Sequence, residues 1–495
     1  MRIRQLGVTN PSVIEYVLGI DVYGALACAS VGRTSLLPRL VRIRWTPQAD
    51  VEYPYIALFL SPFLQSLELD ITGKSNLDTS VRMRLSLLPQ LVSVCPQISR
   101  LILCNKHDLN QPPRQDIENA LSVIKQWPSL RSLEMGGLPE LLTLCIAKLP
   151  VRELVVDKPH ETDRGRLAMP VKGFTKLEHL DIRSSTVEFS ATLFTCMSET
   201  PLRTLRLEFD RDPESHQLSE LFMAMRHGIT HSSLQHLYIS YATGTDFVEE
   251  DRFITFGELS PLLAFTGLSE VSIAINYEVC IGTEDLKVMA LKWPHLQTLE
   301  LISLRPSEYW PQITIKDVVR HFPSLENLTI AFDASKVCLN AEKPGDGVRN
   351  EKIRTLGVLR SPIDEPGKVA AFLSDIVPNL RSIDVFQHEE DDVPDDFGEL
   401  ERKWKEAERY VALFSLVRRA KVYVYSSNVQ THQITLEKLI KLQHFRSLAS
   451  DHSQPVAIVH HDPTLYMPAL LPAILDVLAC LSHTLQGLRP SSAVI

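Results

Sequence analysis

The chain has 495 residues, of which 44% are hydrophobic and 22% are charged. This length predicts several domains or a repeat array, and the composition excludes intrinsic disorder. The formal net charge of −9 argues against a nucleic-acid-binding surface. The sequence contains no run of about 18 apolar residues free of charge, so we predict no membrane span. Eight scattered cysteines, none spaced as C-x-x-C, indicate buried thiols in a reducing compartment, without disulfides or a zinc site.

Residues 1–39 precede the first repeat and are predicted to form an N-terminal helical cap or linker. The stretch VIEYVLGIDVYGALACASVG is similar to the apolar part of a signal peptide. Glu15 and Asp21 interrupt it, and Pro11 breaks the approach, so no uncharged segment of adequate length remains. We therefore expect an amphipathic core helix here, in a cytoplasmic or nuclear protein.

A segment of the form LxxLxL, or a close variant, recurs along most of the chain. The copies begin at Leu40, Leu64, Ile98, Leu130, Val151, Leu177, Leu202, Leu234, Leu268, Leu296, Leu325, Ile353 and Leu380. The mean period is about 28 residues, inside the range of leucine-rich repeats. Individual gaps vary from 21 to 34 residues. Thirteen copies exceed what chance would produce.

The pattern of one repeat predicts its local structure. Two apolar residues separated by one polar residue, as in Leu67 and Leu69, indicate a short strand with one buried face. Stretches between the strands, such as RQDIENALSVIKQW, have helical spacing. A single unit cannot bury its apolar face, so neighbouring units must stack. The predicted fold class is α/β, a leucine-rich-repeat solenoid over residues 40–388 with a concave parallel sheet and convex helices.

Proline supports this phasing, because it stands two residues before the leading apolar residue in several repeats. Among these prolines are Pro96, Pro128, Pro294, Pro323 and Pro378. Proline cannot continue a helix and moves the preceding residue toward extended geometry. We therefore expect each convex helix to end just before its proline. The array lacks a regular Asn at the ninth repeat position, so its turns must satisfy their backbone groups in varied ways.

Two segments follow the last repeat. Residues 389–429 combine an acidic run, interpreted as a solvated loop, with apolar residues at helical spacing that predict a helix capping the solenoid. Residues 430–495 read as a C-terminal helical extension, because LEKLIKLQHF and PALLPAILDVLACLSHTL are both amphipathic.

The sequence contains no complete catalytic motif, so we predict a protein that is not an enzyme and holds no cofactor or metal. Gly73, Lys74 and Ser75 resemble the end of a phosphate-binding loop, but Glu68 replaces the required first glycine. His227 and His231 have the spacing of a metal pair without the Glu of H-E-x-x-H, so surface histidines are favoured.

The concave sheet is the better site candidate, since solenoids present their binding surface there. Repeat phasing places one set of polar side chains on that face. We predict these partner-binding residues: Glu68, Asp70, Arg100, Glu134, Asp157, Asp181, Arg183, Arg206, Glu208, His236, Tyr238 and Glu300. Acids outnumber bases, which favours a protein partner with a basic or mixed-charge segment. Tyr238 is the expected aromatic anchor.

The repeats resemble the leucine-rich-repeat regions of fungal F-box proteins, especially the large basidiomycete sets. The matching segments are SLLPRLVRIRW at 35–45, ALFLSPFLQSLEL at 57–69, CPQISRLIL at 95–103 and FPSLENLTI at 322–330. In that family an F-box recruits the ubiquitin-ligase core through a Skp-type adaptor, and the repeats select the substrate. No LPxE opening of an F-box precedes the first repeat here. The resemblance therefore implies substrate recognition more firmly than ligase recruitment.

Three functions follow as hypotheses. The first is a substrate receptor of a ubiquitin ligase, with the Skp-type adaptor as a partner only if an F-box lies upstream of Met1. The second is an interaction scaffold without the recruitment module. The third, ranked last, is a regulator resembling the repeat-type activators of small GTPases, whose arginine or asparagine signature is not evident in this chain.

Overall fold

The computed structural model describes most of the repeat region and its two flanks. The described residues are 4–6, 19–30, 35–46, 50–71, 78–104, 114–136, 146–157, 173–241, 253–275, 277–303, 314–335, 337, 345, 347–385 and 395–426. The phosphate-loop-like residues 73–75, residues 389–394 of the acidic run and the predicted extension 430–495 lie outside these ranges. The last two residues of the acidic run begin helix Asp395–Ser426.

One open sheet of 14 parallel strands runs through the molecule, with its strands in chain order. These strands are β1 (Gln5–Leu6), β2 (Arg42–Trp45), β3 (Ser66–Asp70), β4 (Arg100–Cys104), β5 (Ser132–Gly136), β6 (Glu153–Asp157), β7 (His179–Ser185), β8 (Thr204–Phe209), β9 (His236–Tyr241), β11 (Glu270–Ile275), β13 (Thr298–Ser303), β14 (Asn327–Ile330), β15 (Thr355–Gly357) and β16 (Ser382–Asp384). A separate parallel pair joins β10 (Phe253–Thr255) to β12 (Glu278–Cys280). The predicted leucine-rich-repeat solenoid is confirmed.

Each of the 13 predicted repeats supplies one strand, and that strand begins two residues after the leading apolar residue. The leading residue is buried in every repeat, and so are the inward-facing residues of the strands, as Leu237 and Ile239 illustrate in β9. Full burial of one leucine stabilises the fold by roughly 1.5–3 kcal/mol relative to exposure. The repeated pattern thus builds one continuous core beneath the sheet.

Helices connect the strands and cover the inward face of the sheet. The α-helices are Ile20–Ala29, Asp78–Leu85, Leu88–Val94, Arg114–Ile124, Val187–Thr195, Ser215–Gly228, Phe256–Leu259, Thr283–Lys292, Ile315–His321, Pro366–Ile376 and Asp395–Ser426, and Asp50–Phe59 and Ser260–Ala264 are 3₁₀ helices. Neighbouring helices pack on one another, as Val187–Thr195 does on Ser215–Gly228. No helix in the described part of the chain is long and apolar enough to cross a membrane.

The prolines stand where the helices end, as predicted. Trp293, directly before Pro294, has φ −117° and ψ 61°, which is outside the helical region, and its side chain is buried. Different side chains satisfy the backbone at these turns. The Trp127 indole donates to the Cys95 carbonyl at 3.0 Å, and the Asn350 amide donates to the Phe322 carbonyl at 3.0 Å. No regular asparagine is needed for this.

The N-terminal flank differs from the expected core helix. Helix Ile20–Ala29 contains no buried residue, so that prediction is wrong. Its Tyr23 ring stacks on Tyr55, with 5.6 Å between centroids, at the edge of the array. Tyr23 and Leu26 pack against the core but are only partly buried, so the helix lies at its surface. Strand β1, which the repeat pattern does not predict, extends the sheet by pairing Gln5 with Arg42.

Helix Asp395–Ser426 follows the last strand and packs on helix Pro366–Ile376. Trp404 is fully buried, and its indole donates to the Ser361 carbonyl at 2.7 Å. Further along, the Arg418 guanidinium lies 2.9 Å from the Asp375 carboxylate. A solenoid needs such a cover, because its last repeat would otherwise expose one side of the core.

Candidate protein-binding surface

Strand register aligns one outward residue of each repeat in a single line across the sheet, which we call the central row. It runs through Arg44, Glu68, Ile102, Glu134, Val155, Asp181, Arg206, Tyr238, Ser272, Glu300, Thr329, Gly357 and Asp384. Each member stands between two buried residues. We call this side of the sheet, opposite the core, the solvent face.

The structure places all twelve predicted residues on the solvent face, and none of them is buried. Six of them belong to the central row: Glu68, Glu134, Asp181, Arg206, Tyr238 and Glu300. Two lie two residues before a row member in the same strand, Arg100 and His236. Four lie two residues after a row member, Asp70, Asp157, Arg183 and Glu208. Sequence reasoning did not select the small uncharged members of the row, such as Ser272 and Thr329. Only their position within the repeat could have identified these residues as part of the solvent face.

A network of charges occupies the row near its N-terminal half. Arg183 lies 2.8 Å from Asp181 and 4.0 Å from Glu134, and Arg100 approaches Glu134 to 3.8 Å. Partial burial raises the pKa of Glu134 above its usual range, although both arginines act in the opposite direction. The hydrogen bond from Arg183 to Asp181 raises the pKa of the guanidinium. The residues of this network are therefore tied to one another across neighbouring strands.

The acids of the solvent face differ in whether they have a basic partner. Arg44 lies 2.9 Å from Glu68 and neutralises it. Glu208 and Asp384, in contrast, make no ion pair with any residue that the structure describes. The face therefore carries acidic groups that remain available to a basic ligand.

The aromatic anchor lies near the middle of the sheet in a cluster of four side chains. The Arg206 guanidinium lies over the Tyr238 ring, 4.8 Å from its centroid. The Tyr238 hydroxyl donates to the Glu270 carboxylate, which also lies 3.2 Å from His236 Nδ1. Burial and this hydrogen bond raise the pKa of Tyr238 to about 12. These contacts hold the ring in one orientation before any ligand arrives.

A cavity of about 480 Å³ lies at the C-terminal end of the face. Its lining consists of Ile302, Thr329, Gly357, Leu359, Asp384, Val385 and Lys405. Sequence reasoning missed it, because Lys405 comes from helix Asp395–Ser426 and the other residues come from strands β13–β16 and the loops after them. The sequence signal that could have indicated this cavity is Gly357, since it is the one glycine of the central row.

Metal-binding groups are absent from the described ranges: no three or more His, Cys, Asp or Glu side chains converge there. His231 Nε2 lies 2.8 Å from the Arg226 carbonyl, and His227 is exposed near the end of helix Ser215–Gly228. The structure does not bring the two histidines to a third ligand.

No family model and no curated protein matches the chain. Among solved structures, it is similar to the complex of Rad7 and Elc1 from yeast, with 15% identity, a TM-score of 0.33, and coverage of 76% of this chain and 85% of that one. It is also similar to the leucine-rich-repeat-containing protein LegL7 from Legionella pneumophila, with 10% identity, a TM-score of 0.26, and coverage of 74% and 90%. Neither likeness bears on what this chain binds.

Proposed function

We propose that the chain recognises another protein through the solvent face of its sheet, as the substrate-selecting part of an F-box-type ubiquitin-ligase receptor. The observation that carries the interaction role is the pre-oriented Tyr238, in contact with Arg206 and flanked by acidic residues, on a row that spans the sheet. Tyrosine and arginine are the residue types that dominate protein interfaces energetically. We assign no catalytic step to the chain.

The geometry favours a ligand that contacts several repeats at once. Strands about 4.8 Å apart carry a row of thirteen residues over roughly 60 Å. The parallel strands are rigidly hydrogen-bonded, so little ordering entropy is lost when they bind. Glu208 and Asp384, which make no ion pair among the described residues, lie on different parts of the face and would attract a segment that carries lysine or arginine.

The ligase connection depends on the repeat resemblance described above and on a Skp-type adaptor binding to the complete protein. We propose that the protein acts in the cytoplasm or nucleus. A scaffold without ligase recruitment uses the same face, so the two functions differ only in whether the adaptor binds.

The interaction role is tested by comparing three forms of the tagged full-length chain. Wild type, the double variant Asp181→Arg/Glu208→Arg and the variant Glu220→Arg are used to recover proteins, and the affinity of each recovered partner is then measured with purified protein. Glu220 is exposed on helix Ser215–Gly228, away from the sheet face, and serves as the control. We expect the double variant alone to bind at least about tenfold more weakly, since like charges then oppose a basic segment. Equal affinity for all three forms would exclude the solvent face.

The ligase role needs a second measurement. Calorimetric titration of the chain, extended by any coding sequence upstream of Met1, with a purified Skp-type adaptor separates the receptor from the scaffold. Binding supports the receptor, and no binding leaves the scaffold. Stimulated GTP hydrolysis by a small GTPase would instead favour the third hypothesis.

A further inference from the structure

The cavity at the C-terminal end of the solvent face combines an apolar floor with charged walls. Leu359 and Val385 are buried, and together with Ile302 they form the apolar part. Gly357 leaves the floor of the cavity without a side chain. A Cβ at this position would lie 2.4 Å from the Thr329 hydroxyl oxygen. The central row therefore has a depression at Gly357, directly before its last member, Asp384.

The two charged residues of the lining are in different situations. Lys405 Nζ lies 3.5 Å from the Glu408 carboxylate, whose other oxygen accepts from the Ile383 backbone N–H at 2.9 Å. The ammonium group is thus neutralised by a carboxylate that the sheet edge holds in place. Asp384 is exposed, and its carboxylate has no hydrogen bond or ion pair within the described ranges. Among the described residues of the lining, negative charge is therefore in excess.

We propose that this cavity receives a lysine or arginine side chain of the bound partner. The aliphatic stem would lie on Leu359, Val385 and Ile302, and the cationic end would reach the Asp384 carboxylate. Long basic side chains bury their methylenes along apolar surfaces while the charge stays at a polar rim, which matches this lining. Thr329 supplies a further hydroxyl oxygen that can accept a hydrogen bond.

This inference rests on the proposed function, which it deepens by naming one recognised side chain and its position. Asp384 is the last member of the central row. A segment that contacts Tyr238 and continues along the row in the direction of β16 would therefore bring a basic residue to the cavity.

The test uses the full chain with labelled methyl groups and four tripeptides. The probe is acetyl-Gly-Arg-Gly-amide, and the matched peptides carry lysine, citrulline or glutamate in place of arginine. Citrulline retains the length of arginine without its charge. We expect the arginine and lysine peptides to shift the NMR methyl signals of Ile302, Leu359 and Val385 with a Kd on the order of 1 mM. The methyl signals of Leu67 should stay in place.

The variants assign the interaction to the carboxylate. Asp384→Asn should weaken binding of the arginine peptide about three- to tenfold, as expected for a hydrogen-bonded charge pair at an exposed carboxylate. Glu220→Gln, an equivalent change at an exposed acid of helix Ser215–Gly228 away from the sheet face, should leave it unchanged. Lys405→Met should leave it unchanged or strengthen it, and unshifted core methyl signals verify that each variant is folded.

Citrulline binding as tightly as arginine, or an unaltered affinity in Asp384→Asn, would overturn the inference. Tighter binding of the glutamate peptide would do the same. The proposed function fails separately: it is rejected if Asp181→Arg/Glu208→Arg leaves partner binding intact, even when the arginine peptide binds. Conversely, loss of partner binding in that double variant with no peptide binding rejects only the cavity's role.

Discussion

Arg206 and Tyr238 are register partners on adjacent strands, and the guanidinium lies over the ring at 4.8 Å from its centroid. A cation placed over an aromatic face contributes about 0.5–1 kcal/mol when exposed and more when water is excluded. The Tyr238 hydroxyl is also held by Glu270 from the strand on the other side. Three neighbouring repeats therefore fix a single ring, which is the arrangement expected of a preorganised binding anchor.

Replacement of this anchor should weaken partner binding strongly. We expect Tyr238→Ala to reduce the affinity by about 2 kcal/mol, roughly thirtyfold, as is typical when an interface tyrosine is truncated. Tyr238→Phe keeps the ring under Arg206 and should lose less. Biolayer interferometry with a purified partner measures both. Wild-type affinity in Tyr238→Ala would show that the interface lies elsewhere.

The pH dependence of stability should depend on Glu134. Its raised pKa means that the folded chain favours the protonated carboxyl. Glu134 therefore contributes stability below the unfolded pKa of about 4.3, and this contribution is lost as pH rises through the folded pKa. The glutamine of Glu134→Gln does not ionise, so the variant does not lose this contribution as the pH rises. The melting temperature of the variant minus that of wild type should therefore increase by about 1–2 °C between pH 4 and pH 7. Thermal unfolding by circular dichroism follows the difference. A trend of equal size in the exposed Glu220→Gln would contradict the assignment to Glu134.

Removal of a core leucine should destabilise the array far more than removal of an exposed one. Leu237 is fully buried in β9, whereas Leu291 is 80% exposed on helix Thr283–Lys292. We expect Leu237→Ala to lower the free energy of unfolding by about 2–5 kcal/mol, because it leaves a cavity. Leu291→Ala should change it by less than about 0.5 kcal/mol. Urea denaturation of both variants measures the contrast, and equal midpoints would be incompatible with the core described here.

Two glycines should respond in opposite directions to the same substitution. A Cβ on Gly228 would lie 2.3 Å from the Phe194 carbonyl oxygen, so Gly228→Ala should cost about 1–3 kcal/mol. Gly24 is in the outer helix Ile20–Ala29, where a Cβ would have nothing within 4 Å, so Gly24→Ala should stabilise by about 0.5–1 kcal/mol. Their unfolding midpoints test the close approach of helix Ser215–Gly228 to helix Val187–Thr195. Similar effects at both positions would exclude it.

The LxxLxL period determined the thirteen strands, their starting residues and the side of the sheet on which the polar residues lie. This was possible because each strand pattern is local: alternation assigns faces within six residues, and a repeated leading leucine aligns neighbours. The proline positions likewise predicted where helices end, since the restriction on the preceding residue is a property of the chain itself.

Only the tertiary structure decided which outward side chains meet. Tyr238 and Glu270 are 32 residues apart, and their contact depends on the exact length of one irregular repeat. Lys405 and Asp384 line one cavity because the helix after the last strand folds back onto the sheet. The shallow packing of helix Ile20–Ala29 also depends on the tertiary structure, since amphipathic spacing indicates that a face can be buried but not how deeply. Local periodicity thus specifies the repeat, while the packing of its ends and neighbours specifies the site.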